Sequence, residues 1–156
     1  MKWLQVQGDD GGARLGLRRE DRVLYLREAH EEVLTTLDLL EAQEERGLEG
    51  AAWLASAEQA GAFSEIGWAE LEAGGAVRFA CPVTPPEVWG AGVTYRRSAD
   101  FREEGTGFYD RVYDAERPEL FFKASAWRCS APGEAIGRRH DSSFTASEPE
   151  LAIVLG

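Results

Sequence analysis

Two glutamates flank a proline at Glu148-Pro149-Glu150 and open the apolar run Leu151 to Leu155. In an extended chain, residues i and i+2 point to the same side. The two carboxylates would then project together from the start of a strand, where proline is tolerated. Side-by-side carboxylates repel each other, and a hard divalent cation relieves that repulsion through oxygen ligands. The residues alone leave two readings open, a metal-binding pair and a solvated strand edge.

Few other residues offer chemistry by type and spacing. His140 and Asp141 are adjacent, and neighbours on a strand point to opposite faces. His140 therefore reads as a surface residue, and Asp141 as a turn residue or substrate contact. His30 stands near a helix start with no obvious chemistry. Cys81 and Cys129 are the only cysteines and lack a zinc-binding spacing, so they read as reduced thiols.

The elements that must position these groups are of both kinds. Lys2 to Gln7, Ala13 to Leu17 and Arg22 to Leu26 are predicted strands of a small meander, the first turn falling at Asp9-Asp10-Gly11-Gly12. Glu31 to Arg46 is predicted helical, with Val33, Leu34, Leu37 and Leu40 on one face and Gly47 as its stop. Leu48 to Ala60 is a second predicted helix, and Val77 to Ala80 a short strand. Pro82 to Pro86 marks a domain boundary, which divides the chain into residues 1–81 and 82–156. Beyond it, strands are expected at Val88 to Tyr95, Leu120 to Lys123, within Trp127 to Ile136, and at Leu151 to Leu155. Short helices are expected at Arg96 to Glu104 and Phe108 to Ala115. The fold class is α+β.

The second part carries an ordered series of motifs. Pro85-Pro86-Glu87-Val88-Trp89-Gly90-Ala91-Gly92-Val93-Thr94-Tyr95 comes first. Tyr113-Asp114-Ala115-Glu116-Arg117-Pro118-Glu119-Leu120-Phe121-Phe122-Lys123 follows, then Pro132-Gly133-Glu134, Asp141-Ser142 and Glu148-Pro149-Glu150-Leu151-Ala152. This succession resembles the opening of the catalytic domain in the fumarylacetoacetate hydrolase family, and most of all its sugar-acid dehydratases. The first half resembles that family's small N-terminal domain only loosely. The resemblance implies the beginning of a mostly β roll, apparently truncated after Gly156. It places a divalent ion, Mg²⁺ with Mn²⁺ or Ca²⁺ as alternatives, on Glu148 and Glu150. The third ligand, an aspartate, and a catalytic lysine would fall beyond this chain.

The same resemblance implies site roles. Glu119 corresponds to the catalytic glutamate of the dehydratases. Lys123 reaches the substrate carboxylate or snorkels from a strand end. Arg96 attracts an anionic substrate or stays a solvated surface charge beside Arg97, and Ser98 bonds substrate hydroxyls or caps a helix. The hydrolase branch carries a histidine where this chain has Ser98, and serine is no base near neutral pH. The implied reaction is dehydration of a 2-keto-3-deoxy sugar acid, such as 2-keto-3-deoxy-D-arabinonate, through a metal-bound enolate. Two alternatives stand beside it: an acylpyruvate-type hydrolase or isomerase of the same family, and an inactive truncated fragment. Family members are commonly dimers, so a homodimer or higher oligomer is expected.

Composition excludes other classes. The 156 residues carry 28 acidic and 17 basic side chains, a net charge of −11, with no basic stripe. Nucleic acid and anionic membranes are therefore not expected partners; a small-molecule 2-keto acid is. With no apolar run of about 18 residues and no signal-peptide pattern, a cytoplasmic location is expected.

Overall fold

The computed structural model describes residues 2–96, 105, 107–147 and 149–155. They fall into two compact units, Met1–Thr84 with Ser130–Gly156, and Pro85–Cys129. Helices and strands occur together, as the α+β expectation requires.

The first unit is built on a five-stranded antiparallel sheet in the order β4-β3-β2-β1-β5. Its strands are β1 (Trp3–Gln7), β2 (Ala13–Arg19), β3 (Arg22–Leu26), β4 (Phe63–Gly67) and β5 (Arg78–Phe79). The turn before β2 forms where expected. The Gly12 N–H bonds the Asp10 carboxylate at 2.9 Å, Gly11 adopts φ 79°, and Arg14 pairs with Asp10.

Strand alternation supplies both faces of this sheet with apolar side chains. One face presents Leu15, Leu17 and Leu26 to Leu39, Ala42, Trp53, Leu54 and Ala57 of helices α1 (Thr36–Arg46) and α2 (Gly50–Gln59). The other gathers Val6 and Val23 with Ile66 and with Leu71 of α3 (Trp68–Ala73). Trp53, 1% exposed, centres the first core; it tilts against Trp3, meets Phe63 edge-on, and donates its indole N–H to the His30 carbonyl at 3.3 Å. Gln5 is the one buried polar side chain among the described residues. Its amide accepts from Thr36 N at 3.0 Å and donates to the Cys81 carbonyl at 2.6 Å, so β1, α1 and the segment after β5 are joined through one group.

Helix α1 starts later than Glu31. Glu31 and Glu32 sit at φ 49° and 66° between the mutually bonded His30 and Val33, the pattern of a two-residue hairpin turn. Thr35 then caps the helix in a reciprocal box with Asp38. The buried stripe consequently differs from the predicted one: Leu39 and Ala42 face the core, Leu40 is 36% exposed, and Val33 is buried from the turn. Strand β4 and helix α3 were not foreseen, because Phe63–Gly67 is too short and too mixed for a period to register.

Two further strand expectations are corrected. Ala126–Arg128 is a single 3-10 turn, and the Pro132-Gly133 turn, closed by Glu134 N to Ala131 O at 3.0 Å, follows without a strand. Leu151 to Leu155 is likewise not a strand; Leu151 and Leu155 are 82% and 86% exposed. An apolar run becomes a strand only by bonding to a neighbouring backbone, and no described strand pairs with it.

The second unit contains a two-stranded antiparallel ladder, β6 (Glu87–Ala91) with β7 (Leu120–Ser125), and the short helix α4 (Phe108–Tyr113). A register shift between Val88 and Trp89 bends the ladder. The Phe121 ring covers Gly90: a Cβ there would lie 2.5 Å from it.

Candidate functional site

The second unit holds a cleft of about 580 Å³ between α4 and the start of β7. Phe108, Val112 and Leu120 supply apolar wall, and Arg111, Arg117 and Glu119 supply charge. Its size falls in the ordinary range for small-molecule sites, roughly 300 to 1,000 Å³.

Local sequence explains the placement. Pro118 restricts the residue before it to extended backbone, which carries the chain from the end of α4 into β7. The Gly92 N–H then bonds the Glu119 carbonyl at 2.7 Å and fixes Glu119 against the end of β6. Directly after Gly92, Val93 stands at φ 51°. A β-branched residue in that region is strained, and such strain gathers at functional sites. The Glu119 carboxylate has no hydrogen-bond or ion-pair partner among the described residues. Lys123 is exposed and is the extra residue of the bulge, between Phe122 opposite Trp89 and Ala124 opposite Val88.

Arg96 is committed elsewhere in the same unit. Its guanidinium lies 3.1 Å from Asp110 and 3.9 Å from Asp114, with its carbon 5.2 Å from the Tyr113 ring centre. Asp141 lies in the other unit, in a turn closed by Ser142 N to Arg139 O at 3.2 Å. The Arg139 guanidinium grips its carboxylate at 2.9 and 2.5 Å and holds it below the usual carboxylate range. Glu150 is exposed and lies in no helix or strand, beside Pro149. Ser98 and Glu148 lie outside the described residues. His140 is exposed, as read from the sequence, and neither cysteine is in a disulfide.

A metal needs converging ligands, and among the described residues no three His, Cys, Asp or Glu side chains gather to hold one. No described helix is long and apolar enough to cross a membrane. Sequence reasoning missed Arg111 and noticed Arg117 only as the neighbour of Glu119. A charge within a short predicted helix and another just after it is too common a pattern to mark a site, and only the cleft brings them together.

No family model matches the chain. It is 49% identical over 86 residues to the 2-dehydro-3-deoxy-D-arabinonate dehydratase of Saccharolobus solfataricus, a match covering 51% of this chain and 29% of that protein. It is 53% identical over 77 residues to a probable 2-keto-3-deoxyxylonate dehydratase of Haloferax volcanii, covering 47% of this chain and 27% of that protein. A solved 2-keto-3-deoxy-D-arabinonate dehydratase complexed with magnesium and 2,5-dioxopentanoate aligns at TM-score 0.47 and 25% identity, over 83% of this chain and 41% of that one. The chain thus spans less than a third of the length of the curated relatives it matches. Over about half its own length, it is similar to the 2-keto-3-deoxy sugar-acid dehydratases.

Proposed function

We propose that the chain forms part of a metal-dependent hydro-lyase that dehydrates a 2-keto-3-deoxy sugar acid. The observation that carries this reading is the 49% identity over 86 residues to an enzyme of that name. The cleft supports it by presenting Glu119, without a partner among the described residues, together with two cations.

Dehydration of such a compound takes a proton from C3 and releases hydroxide from C4. Glu119 is the group in the cleft able to accept and return a proton. Lys123, on β7, is proposed as a further cation that binds the substrate. Glu148 and Glu150 are proposed as ligands of a magnesium ion, which when bound would polarise the keto acid. No complete ligand set is present among the described residues. The roles of Ser98, Arg96 and Asp141 in binding substrate hydroxyls and charge are part of the same proposal.

The test is an assay of the complete enzyme with Mg²⁺ and 2-keto-3-deoxy-D-arabinonate. Formation of 2-ketoglutarate semialdehyde is expected. Glu119→Gln should lower turnover by at least about 100-fold, the usual worth of a positioned acid–base group, while leaving metal binding unchanged. Normal turnover in that variant would remove Glu119 from the chemistry. Pyruvate release from an acylpyruvate in place of semialdehyde would favour the hydrolase alternative.

A further inference from the structure

Six arginines among the described residues pair with a carboxylate. Arg14 pairs with Asp10, Arg19 with Glu58, Arg22 with Glu65, Arg46 with Glu32, Arg96 with Asp110 and Arg139 with Asp141. An excess of 28 acidic over 17 basic residues makes that the expected fate. Arg18, Arg27 and Arg78 donate to backbone or amide oxygens and Arg128 lies over the Trp127 ring. Arg138, outside the cleft, has no such partner among the described residues; what sets Arg111 and Arg117 apart is that they lack one inside a cleft. Neither guanidinium has an ion-pair or hydrogen-bond partner among the described residues, although Asp110 and Glu116 are their immediate neighbours in sequence. Both line the cleft of the second unit, against Phe108, Val112 and Leu120.

We propose that Arg111 and Arg117 form a metal-independent seat for the carboxylate of a sugar acid, with Glu119 accepting hydrogen bonds from its hydroxyls. A guanidinium presents a planar fork that matches a carboxylate. Two arginines against one glutamate leave the cleft with a single excess positive charge, suited to a monoanion. The Glu119 carboxylate disfavours a phosphate dianion and rewards a ligand rich in hydroxyl donors. That combination selects a polyhydroxy monocarboxylate. The identity of the anion rests on the dehydratase reading; the existence of the seat does not.

The experiment is a titration of the 156-residue chain with gluconate in excess EDTA, followed by backbone amide NMR, with glucose as the uncharged control. Saturable shifts are expected over residues 111–120 with a dissociation constant in roughly the millimolar range. The double variant Arg111→Gln/Arg117→Gln should weaken binding at least tenfold. Either single variant should weaken it less, which keeps the result readable if the double variant does not fold. Arg138→Gln, which removes a positive charge outside the cleft, should change nothing. Equal shifts with glucose, tighter binding of inorganic phosphate than of gluconate, or unaltered affinity in the arginine variants would overturn the proposal. Because no metal or turnover is involved, failure here with semialdehyde still formed by the complete enzyme removes only the seat. Binding here without semialdehyde formation removes only the reaction.

Discussion

Single side chains in this protein act mainly through the partners they find, and Asp10 shows this at its simplest. The Gly12 N–H and then the Arg14 cation hold its carboxylate below 3.8, the ordinary value. The folded chain therefore binds that proton less readily than the unfolded chain. The associated stability is fully present above the ordinary value and is lost as pH falls through the lower folded one. The slope of urea-unfolding midpoint against pH between about pH 5 and pH 2 should accordingly be shallower in Asp10→Asn than in the parent. An unchanged slope would show that the turn contributes nothing to acid stability. Glu119 is the contrasting case at this scale: its carboxylate has no partner among the described residues.

At the scale of elements, the first unit depends on how strands and helices are tied. Gln5 is buried in β1 and serves the first turn of α1 and the carbonyl of Cys81 at once. Gln5→Leu roughly preserves the volume but removes the acceptor of the Thr36 N–H and the amide donor to the Cys81 carbonyl. The expected loss is about 1 to 3 kcal/mol, measured as a lower midpoint in chemical denaturation; a loss near zero would mean that the two backbone groups find other partners. Gly16 adds a packing constraint on the neighbouring strand, since a Cβ there would meet Leu4 at 3.1 Å and Val23 at 3.2 Å. In the second unit, β6 and β7 form a ladder whose outer surface stays open. Trp89 and Phe122 meet edge-on at 6.0 Å yet are 59% and 53% exposed.

For the molecule as a whole, the question is what it can bind by itself. With no group of three ligating side chains among the described residues, calorimetry of the 156-residue chain with Mg²⁺ should show no saturation below roughly millimolar concentrations, because water competes strongly for that ion. Tight one-to-one binding would show that Glu148 and Glu150 recruit further ligands within this chain. The contrast with the arginine cleft is deliberate in chemical terms: the cleft needs only charges that one short stretch supplies, whereas a metal centre needs oxygens from several distant segments.

The sequence by itself determined the meander Trp3–Gln7, Ala13–Arg19 and Arg22–Leu26, the turn at Asp10-Gly11, helices near Thr36–Arg46 and Gly50–Gln59, and the likeness to sugar-acid dehydratases. Those features are written in local periodicity, turn residues and contiguous motifs, all of which survive without long-range information. Tertiary structure decided the rest. It moved the start of α1 to the Thr35 cap and replaced the predicted stripe with Leu39 and Ala42, because burial depends on which face meets the sheet. It left Leu151 to Leu155 outside any sheet, because strand formation requires a partner that no sequence window contains. It also brought Arg111, Arg117 and Glu119 to one cleft. Whether a charge is neutralised by a neighbour or left for a ligand is a matter of distances in space, and spacing along the chain does not fix them.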